Sequence, residues 1–456
     1  MTTSLSFGAK AGKKDMSKWH AWAAGYLGEC FDAMDATIFF IVLYPAISEL
    51  INSKNDAAIG WYGSLILASF MLGWAIGGTI FGVVADRIGR AKTMAFTILV
   101  YAIFTGLCAT SHSWWEMAIY RFFVGMGVGG EISLGTVIVS EYWKQKKQRI
   151  WATAWLDTSF SVGLVLASCA NLMVGGHGWR WLFVIGMLPA LATLYIRYTL
   201  KEPDSFEAMR NHKELLKNKN PKDLTESESR YLQSPFKQLF STEYRTTIIA
   251  LFCIASSAII GYWSCVSWIS PWINQLTGEL AIGERSMATN VLSLGSIIGA
   301  ISTPLFLNWL GRRNTIRFAF GGCMLAVIVM FVMIKSFCLP LLALIALIGL
   351  TVGLQFTFLC IYIPEAFATN VLGTASGFTF SAGRIFAALI AVGGGQLIAM
   401  YQGSYAMASA TVAIVYAIGF VAANFLPETN GEVKGTGIGE KSKPAIEGDI
   451  CKEMCS

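Results

Sequence analysis

Long apolar runs alternate with short polar turns along almost the whole chain. A helix needs about 20 apolar residues to cross the hydrocarbon core of a bilayer, and the sequence contains twelve such runs. We expect the spans at roughly residues 20–46, 57–84, 92–111, 114–140, 151–174, 179–200, 245–275, 284–309, 314–335, 339–362, 370–400 and 404–426. Backbone groups inside a bilayer must pair within the protein. The pattern therefore predicts an all-α membrane protein.

One hydrophilic stretch interrupts this alternation and leaves six spans on each side of it. Residues 201–244 are rich in lysine, glutamate and proline and hold few apolar positions. The predicted organisation is an N-terminal segment (1–19), a six-helix bundle (20–200), a linker (201–244), a second six-helix bundle (245–427) and a tail (428–456).

Basic residues cluster in turns that would all lie on one side of the membrane. Examples are Arg87, Arg90 and Lys92 after the second span, and Arg312 and Arg313 after the eighth. Cytoplasmic loops carry an excess of lysine and arginine. We therefore expect both termini in the cytoplasm, and a monomer in the lipid bilayer of a bacterial inner (plasma) membrane.

Composition excludes several classes of protein. Hydrophobic residues make up 55% of the chain and charged residues 14%, whereas soluble domains carry about 25% charged residues. The net charge of +6 is spread over span ends rather than one face, so no nucleic-acid partner is expected. No phosphate-binding loop or metal-binding spacing is present in the sequence. We expect no enzymatic activity, no metal and no cofactor, with a proton gradient as the energy source.

Acidic residues inside the spans are the first candidate chemistry, since charge at that depth is costly and usually functional. Glu29, Asp32 and Asp35 follow one another at intervals of three in the first span, and Glu131 lies in the fourth. Carboxylates this close cannot all ionise easily in a low-dielectric site, so they can take up and release a proton. The alternative is that they line an aqueous vestibule.

Two intramembrane arginines are candidate contacts for an anionic small-molecule substrate. Arg121 lies in the fourth span and Arg384 in the eleventh, and a guanidinium binds a carboxylate through two parallel hydrogen bonds. Gln355 in the tenth span is a third candidate for substrate binding. Each arginine has an alternative role as the partner of an acid, holding helices together.

A charged turn between the second and third spans is the candidate gate. It contains Gly82, Asp86, Arg87, Gly89 and Arg90. A degraded copy after the eighth span keeps Arg312 but has Asn308 at the position of the aspartate. Pairing of the first turn with Glu141, Arg149 and the eleventh span is expected to close the cytoplasmic side. Asn308 carries no charge, so the second latch is predicted to be weaker.

Several motifs resemble one family. Gly82-xxx-Asp86-Arg87-x-Gly89-Arg90 resembles the loop 2–3 signature of the major facilitator superfamily, and Arg121-xxx-Gly125-x-Gly127-x-Gly129 resembles its fourth-helix motif. Pro364-Glu365 and Leu426-Pro-Glu-Thr429 resemble the ends of its tenth and twelfth helices. The resemblance implies twelve transmembrane helices in two pseudo-symmetric six-helix bundles, the major facilitator fold.

Two shorter motifs narrow the expected function. Asp32-Ala-Met-Asp35 resembles the first-helix pattern of the sialic acid, lactate and aromatic-acid proton symporters, although these usually carry Phe or Tyr where Met34 stands. Gly129-Gly130-Glu131 resembles their fourth helix. The resemblance implies proton-coupled symport of a small organic acid or related metabolite by alternating access. The alternatives are a proton-antiport exporter of metabolites or drugs, and a non-transporting membrane sensor of transporter ancestry.

Overall fold

The structure is a computed structural model of the chain. It describes residues 17–174, 177–187, 195, 200–266, 268–277, 282–402, 404–429 and 431–432. The predicted segment at 1–19 and the tail from 428 onward lie mostly outside the described residues, as does most of the second part of the sixth predicted span.

The first half consists of helices α1 to α7. Their bounds are Ser17–Leu50 (α1), Asp56–Ile88 (α2), Arg90–Cys108 (α3), Trp114–Tyr142 (α4), Lys146–Asp157 (α5), Ser159–Val174 (α6) and Trp179–Ile185 (α7). Helices α5 and α6 form one span that is interrupted at Thr158. This span begins at Lys146, several residues before the predicted start at 151, so Arg149 lies on a helix rather than on a loop.

The linker folds into three short helices, α8 (Asp204–Lys217), α9 (Glu226–Leu232) and α10 (Pro235–Leu239). Helix α8 places Phe206, Met209 and Leu216 on a buried face and its charged residues outside. Helix α10 packs against α2 and against the second half of the molecule. We call the end of the molecule that carries α8 to α10 the linker face.

The second half consists of helices α11 to α18. Their bounds are Arg245–Gly261 (α11), Ile269–Thr277 (α12), Ile282–Met333 (α13), Leu339–Ala366 (α14), Leu372–Ala382 (α15), Arg384–Met400 (α16), Tyr405–Val412 (α17) and Val415–Ala422 (α18). Residues Tyr262–Val266 form a π-helical turn after α11. Helices α15 and α16 belong to one span, as do α17 and α18.

Ten segments of the described residues are long and apolar enough to cross a membrane. One of them, Gly283–Met333, contains the predicted eighth and ninth spans, which meet at Gly311 with a non-helical φ of 76°. The remaining predicted span, the sixth, begins with α7 and continues beyond the described residues. The helical architecture is therefore that of the predicted twelve-span protein.

Each half has its own apolar core, to which a few residues of the other half contribute. The halves meet most extensively where α2 of the first half packs against α15 and α16 of the second. Gly82 lies so close to α15 that a Cβ on it would sit 2.5 Å from the carbonyl oxygen of Gly373. This close approach brings the charged end of α2 to the first turn of α15.

Candidate functional site: a buried charge cluster between the two halves

Four carboxylates of the first half gather at the centre of the molecule. Glu29, Asp32 and Asp35 lie on α1 and Glu131 lies on α4, and none of them is more than 9% exposed. Residues three apart share a helix face, and α1 turns this face toward α4. The Glu131 carboxylate lies against Gly28 of α1, where a Cβ would overlap it. The structure thus brings together all four acids predicted from the sequence.

Asp35 is fully paired. Arg121 Nη1 donates to Asp35 Oδ2 at 2.7 Å, and the Thr105 hydroxyl donates to Oδ1 at 2.7 Å. The Arg121 guanidinium also lies 4.5 Å from the ring centre of Phe70. Of the two roles considered for Arg121, the structure shows the pairing with an acid of the first span. Its Nε and Nη2 atoms have no partner among the described residues, and its role in substrate binding stays a prediction. The arrangement neutralises both charges within the first half.

Asp32 and Glu131 are different, because neither oxygen of either carboxylate has a hydrogen-bond partner among the described residues. Asp32 interacts electrostatically with Glu131, Glu29 and Asp35, so the acids form one charge cluster. The Tyr101 hydroxyl belongs to the same cluster and also has no partner in the described chain. Burying an unpaired carboxylate as an anion is very costly. An acid in this setting requires a proton, a cation or water beside it.

Arg384 reaches this cluster from the second half. Its guanidinium carbon lies 3.7 Å from the ring centre of Trp74 on α2. Its Nε and Nη1 atoms have no partner among the described residues, and Asp32 is the acid whose charge acts on it. A buried cation with free donors next to an unpaired acid is suited to binding an anion and a proton together. Trp74 was not among the candidate residues, because a lone tryptophan in a span carries no distinctive sequence signal.

Gln355 does not contact the charge cluster. Its Nε2 donates to the Ala319 carbonyl at 3.2 Å, which directs the amide into the interior of the second half. The structure does not bring Gln355 to the charge cluster, and its role in substrate binding stays a prediction.

Asp157 forms a contact between the halves that was not predicted from the sequence. It ends α5, and the Thr357 hydroxyl of α14 donates to it across the interface between the halves. Cys360 Sγ lies 3.9 Å from its other oxygen, and Glu29 interacts with it electrostatically. The sequence indicates only a single acid near the end of the predicted fifth span. Its partners are some two hundred residues away in sequence and could not be identified from it.

The first charged turn connects the two halves at the linker face. Asp86 accepts hydrogen bonds from the backbone amides of Gly373 and Thr374 at 3.0 and 2.7 Å, and from the Thr374 hydroxyl at 2.7 Å. These amides open α15, which has no side-chain cap of its own. Asp86 therefore caps a helix of the opposite half and interacts favourably with its dipole.

Arg90 extends this connection. It donates to the Thr369 carbonyl of the second half at 2.6 Å and pairs with Asp86 at 3.2 Å and Glu141 at 3.3 Å. Arg87, by contrast, is exposed and forms no ion pair with a described residue. The prediction that Arg87 forms part of the cytoplasmic gate contact is therefore not met in this structure.

The second charged turn makes fewer contacts across the interface. Asn308 is exposed and forms no hydrogen bond with the described residues, so the expectation that it lies in the gate contact is not met. Arg312 pairs with Glu365 inside its own half at 3.1 Å. Arg149 was expected beside the first turn. It instead donates to the Gly431 carbonyl at 2.5 Å, because α5 carries it toward the second turn.

A glutamate also caps the helix that follows each turn, a role that was not predicted for either glutamate. Glu202 accepts from the backbone amide of Arg90 at 2.8 Å, and Glu428 accepts from that of Arg312 at 3.1 Å. Gly89 and Gly311 have φ values of 132° and 76°, which favour glycine. The repeat in the two halves therefore includes the cap of the following helix.

Comparison with known proteins agrees with this architecture. The profile of the Major Facilitator Superfamily matches residues 25–392. A protein of Cupriavidus pinatubonensis named "Probable 4-methylmuconolactone transporter" is 27% identical over 447 residues, covering 96% of each chain. The cis,cis-muconate transport protein of Acinetobacter baylyi is 26% identical over 378 residues, covering 81% of this chain and 86% of the relative.

Among solved structures, the proton:xylose symporter XylE has a TM-score of 0.71 at 16% identity, covering 91% of this chain and 97% of the symporter. That identity speaks for the fold alone. With the family match over most of its length, this chain belongs to the Major Facilitator Superfamily. It is a multi-pass integral membrane protein of the transporter type and not an enzyme.

Proposed function

We propose that the protein takes up a small organic acid together with a proton, by alternating access across a bacterial inner membrane. The linker face is then the cytoplasmic side, with both termini on it, and the protein acts as a monomer driven by the proton gradient. The names of the relatives, which include transporters of muconate and gentisate, support an organic acid as the substrate class.

The observation that carries the proposal is the opposition of Arg384 and Asp32 across the interface of the halves. Arg384 offers free donors to a carboxylate, and Asp32 is buried with no hydrogen-bond partner in the described chain. A proton on Asp32 removes the cost of its negative charge while an anionic substrate neutralises Arg384. When both the proton and the substrate are bound, the charges of Asp32 and Arg384 are balanced, and the protein can close around the site.

Glu131 and Glu29 extend the proton site. Both act electrostatically on Asp32, so a proton taken up by one of them changes the ionisation of the others. Asp35 serves a separate purpose, because Arg121 and Thr105 already occupy both of its oxygens. We therefore assign the coupling proton to Asp32 first and Glu131 second, with Asp35 as the partner that keeps Arg121 neutralised.

The contacts of Asp86 and Arg90 with Thr369, Gly373 and Thr374, which we call the latch, control which side of the protein is open. Asp86 and Arg90 hold α15 and the Thr369 carbonyl against the first half, and we assign this arrangement to the state that is closed at the linker face. Opening toward the linker face requires these bonds to break, and a ligand shifts that equilibrium only through its preference for one state.

Uptake by the purified protein in liposomes tests the proposal. An inward proton gradient should drive accumulation of cis,cis-muconate, benzoate, gentisate, lactate or sialic acid above the external concentration, and a protonophore should abolish it. Asp223→Asn is a matched control, since Asp223 is an exposed acid of the linker and forms no ion pair with a described residue. Accumulation of a carboxylate that is indifferent to the proton gradient would contradict proton coupling.

A further inference from the structure

A basic cavity lies between the end of α2 and the linker. Its volume is about 450 Å³. Arg87 of α2 lines it on one side, and Arg210, Lys213 and Lys217 of α8 line it on the other. No described carboxylate lies within ion-pair distance of any of these four cations. The cavity therefore concentrates positive charge that the described part of the protein does not neutralise.

Two acids also line the cavity, and they offset this charge only in part. Asp86 is buried and already accepts three hydrogen bonds from Gly373 and Thr374. Glu214 is exposed to solvent on α8. Burial, together with the neighbouring charges of Lys217 and Arg87, lowers the pKa of Lys213 below its usual range. An anion in the cavity would relieve this repulsion.

The wall of the cavity is joined to the latch. Phe206 of α8 lines the cavity and also lies 4.6 Å from the Arg90 guanidinium, so the linker packs directly on the residue that holds Thr369. An anion bridging Arg87 to α8 would fix the linker against α2 beside Asp86. Because that arrangement exists in the closed state, the anion would favour closure.

We propose that this cavity binds a multivalent phosphate-type anion from the cytoplasmic side, and that binding stabilises the closed linker face. The ligand is either a soluble phosphorylated compound or the headgroup of an anionic lipid, which share the same chemistry. Accumulation of the anion would then slow opening toward the cytoplasm and restrain uptake.

Binding of inorganic pyrophosphate to the full-length protein in phosphatidylcholine nanodiscs, measured by calorimetry, tests the site independently of transport. We expect saturable binding that weakens by about tenfold or more in Arg210→Gln/Lys213→Gln, since two charge-assisted contacts are removed. Lys222→Gln/Lys237→Gln removes the same charge from exposed linker positions outside the cavity and should leave binding unchanged. Absence of saturable binding, or equal affinity in the two double variants, would overturn the site.

Two further experiments identify the source of the anion and its effect on opening of the linker face. Pyrophosphate binding is measured again in nanodiscs that also contain phosphatidylglycerol. If this lipid weakens binding to the wild type but not to Arg210→Gln/Lys213→Gln, the lipid headgroup occupies the cavity. Any other result means that the ligand is soluble.

Cys360 is buried between the halves, so its alkylation in a variant lacking the other cysteines reports opening. Pyrophosphate should slow this alkylation, and an unchanged rate despite binding would refute the stabilisation of the closed state.

Discussion

The two halves of the molecule share a fold and a charged turn, but they carry different parts of the machinery. The first half holds the four buried acids of the centre, and the second half supplies the buried cation Arg384. The turn of the first half reaches across the interface through Asp86, whereas Asn308 in the second turn stays exposed. Duplication therefore accounts for the scaffold, and the differences between the copies locate the chemistry.

A second contrast lies within α1 itself. Asp32 and Asp35 are one helical turn apart, yet Asp35 is paired with Arg121 and Thr105 while Asp32 has no hydrogen-bond partner in the described chain. The charge of Asp35 is balanced by a cation of its own half, and that of Asp32 is not. The same residue type in the same helix is thus expected to support structure at one position and proton transfer at the other.

The largest expected effect is that of Asp32→Asn. Removing the acid should abolish gradient-driven accumulation of the carboxylate, because no proton then balances Arg384 during the cycle. Exchange of labelled for unlabelled substrate should persist, since it does not require the empty carrier to return. Loss of exchange in a folded variant would instead place Asp32 in substrate binding.

Asp35→Asn should act on stability first. It leaves Arg121 buried without its charge partner, and breaking a buried pair costs about 3–5 kcal/mol. Thermal unfolding in detergent should show a clearly lowered midpoint, partly restored in Asp35→Asn/Arg121→Gln. A single variant as stable as the wild type would show that water or another group replaces the carboxylate.

Asp86→Asn should weaken the closed linker face. Charge-assisted hydrogen bonds contribute about 1.5–3 kcal/mol, so the open population should rise by about tenfold or more. Faster alkylation of Cys360, as the single cysteine, would show it. Asn308→Asp is the reciprocal variant and should change the rate little, because Asn308 is exposed and lies outside any described contact.

The smallest effects should come from the two helix caps. Glu202→Gln and Glu428→Gln each weaken hydrogen bonds to the first amides of a helix, at about 0.5–1 kcal/mol. Small shifts in the unfolding midpoint are expected for both, somewhat larger for Glu202→Gln, since Glu202 accepts from three backbone amides and Glu428 from two. A large effect of one alone would mean that it also serves the latch.

Much of this arrangement is visible in the sequence, because spans, turns and intramembrane charges follow from local composition. The four acids and Arg384 could be identified as unusual in an apolar setting without knowing their neighbours. Contact between the first turn and the eleventh span was predicted, but the partner of Asp86 at Gly373 was not. The contact of Asp157 with Thr357 could not be predicted either, since only the packing of the two halves brings these residues together. The direction of the Gln355 side chain depends on the rotation of α14, and that of Arg149 depends on where α5 begins. Hydrophobic periodicity alone defines neither.

The central claim is that uptake of the carboxylate moves a proton through Asp32. Simultaneous recording of substrate uptake and external alkalinisation in unbuffered liposomes tests it most directly. We predict that substrate entry by the wild type makes the medium more alkaline, and that Asp32→Asn exchanges substrate with no pH change. Proton movement that persists in Asp32→Asn at the wild-type ratio to substrate would contradict the account.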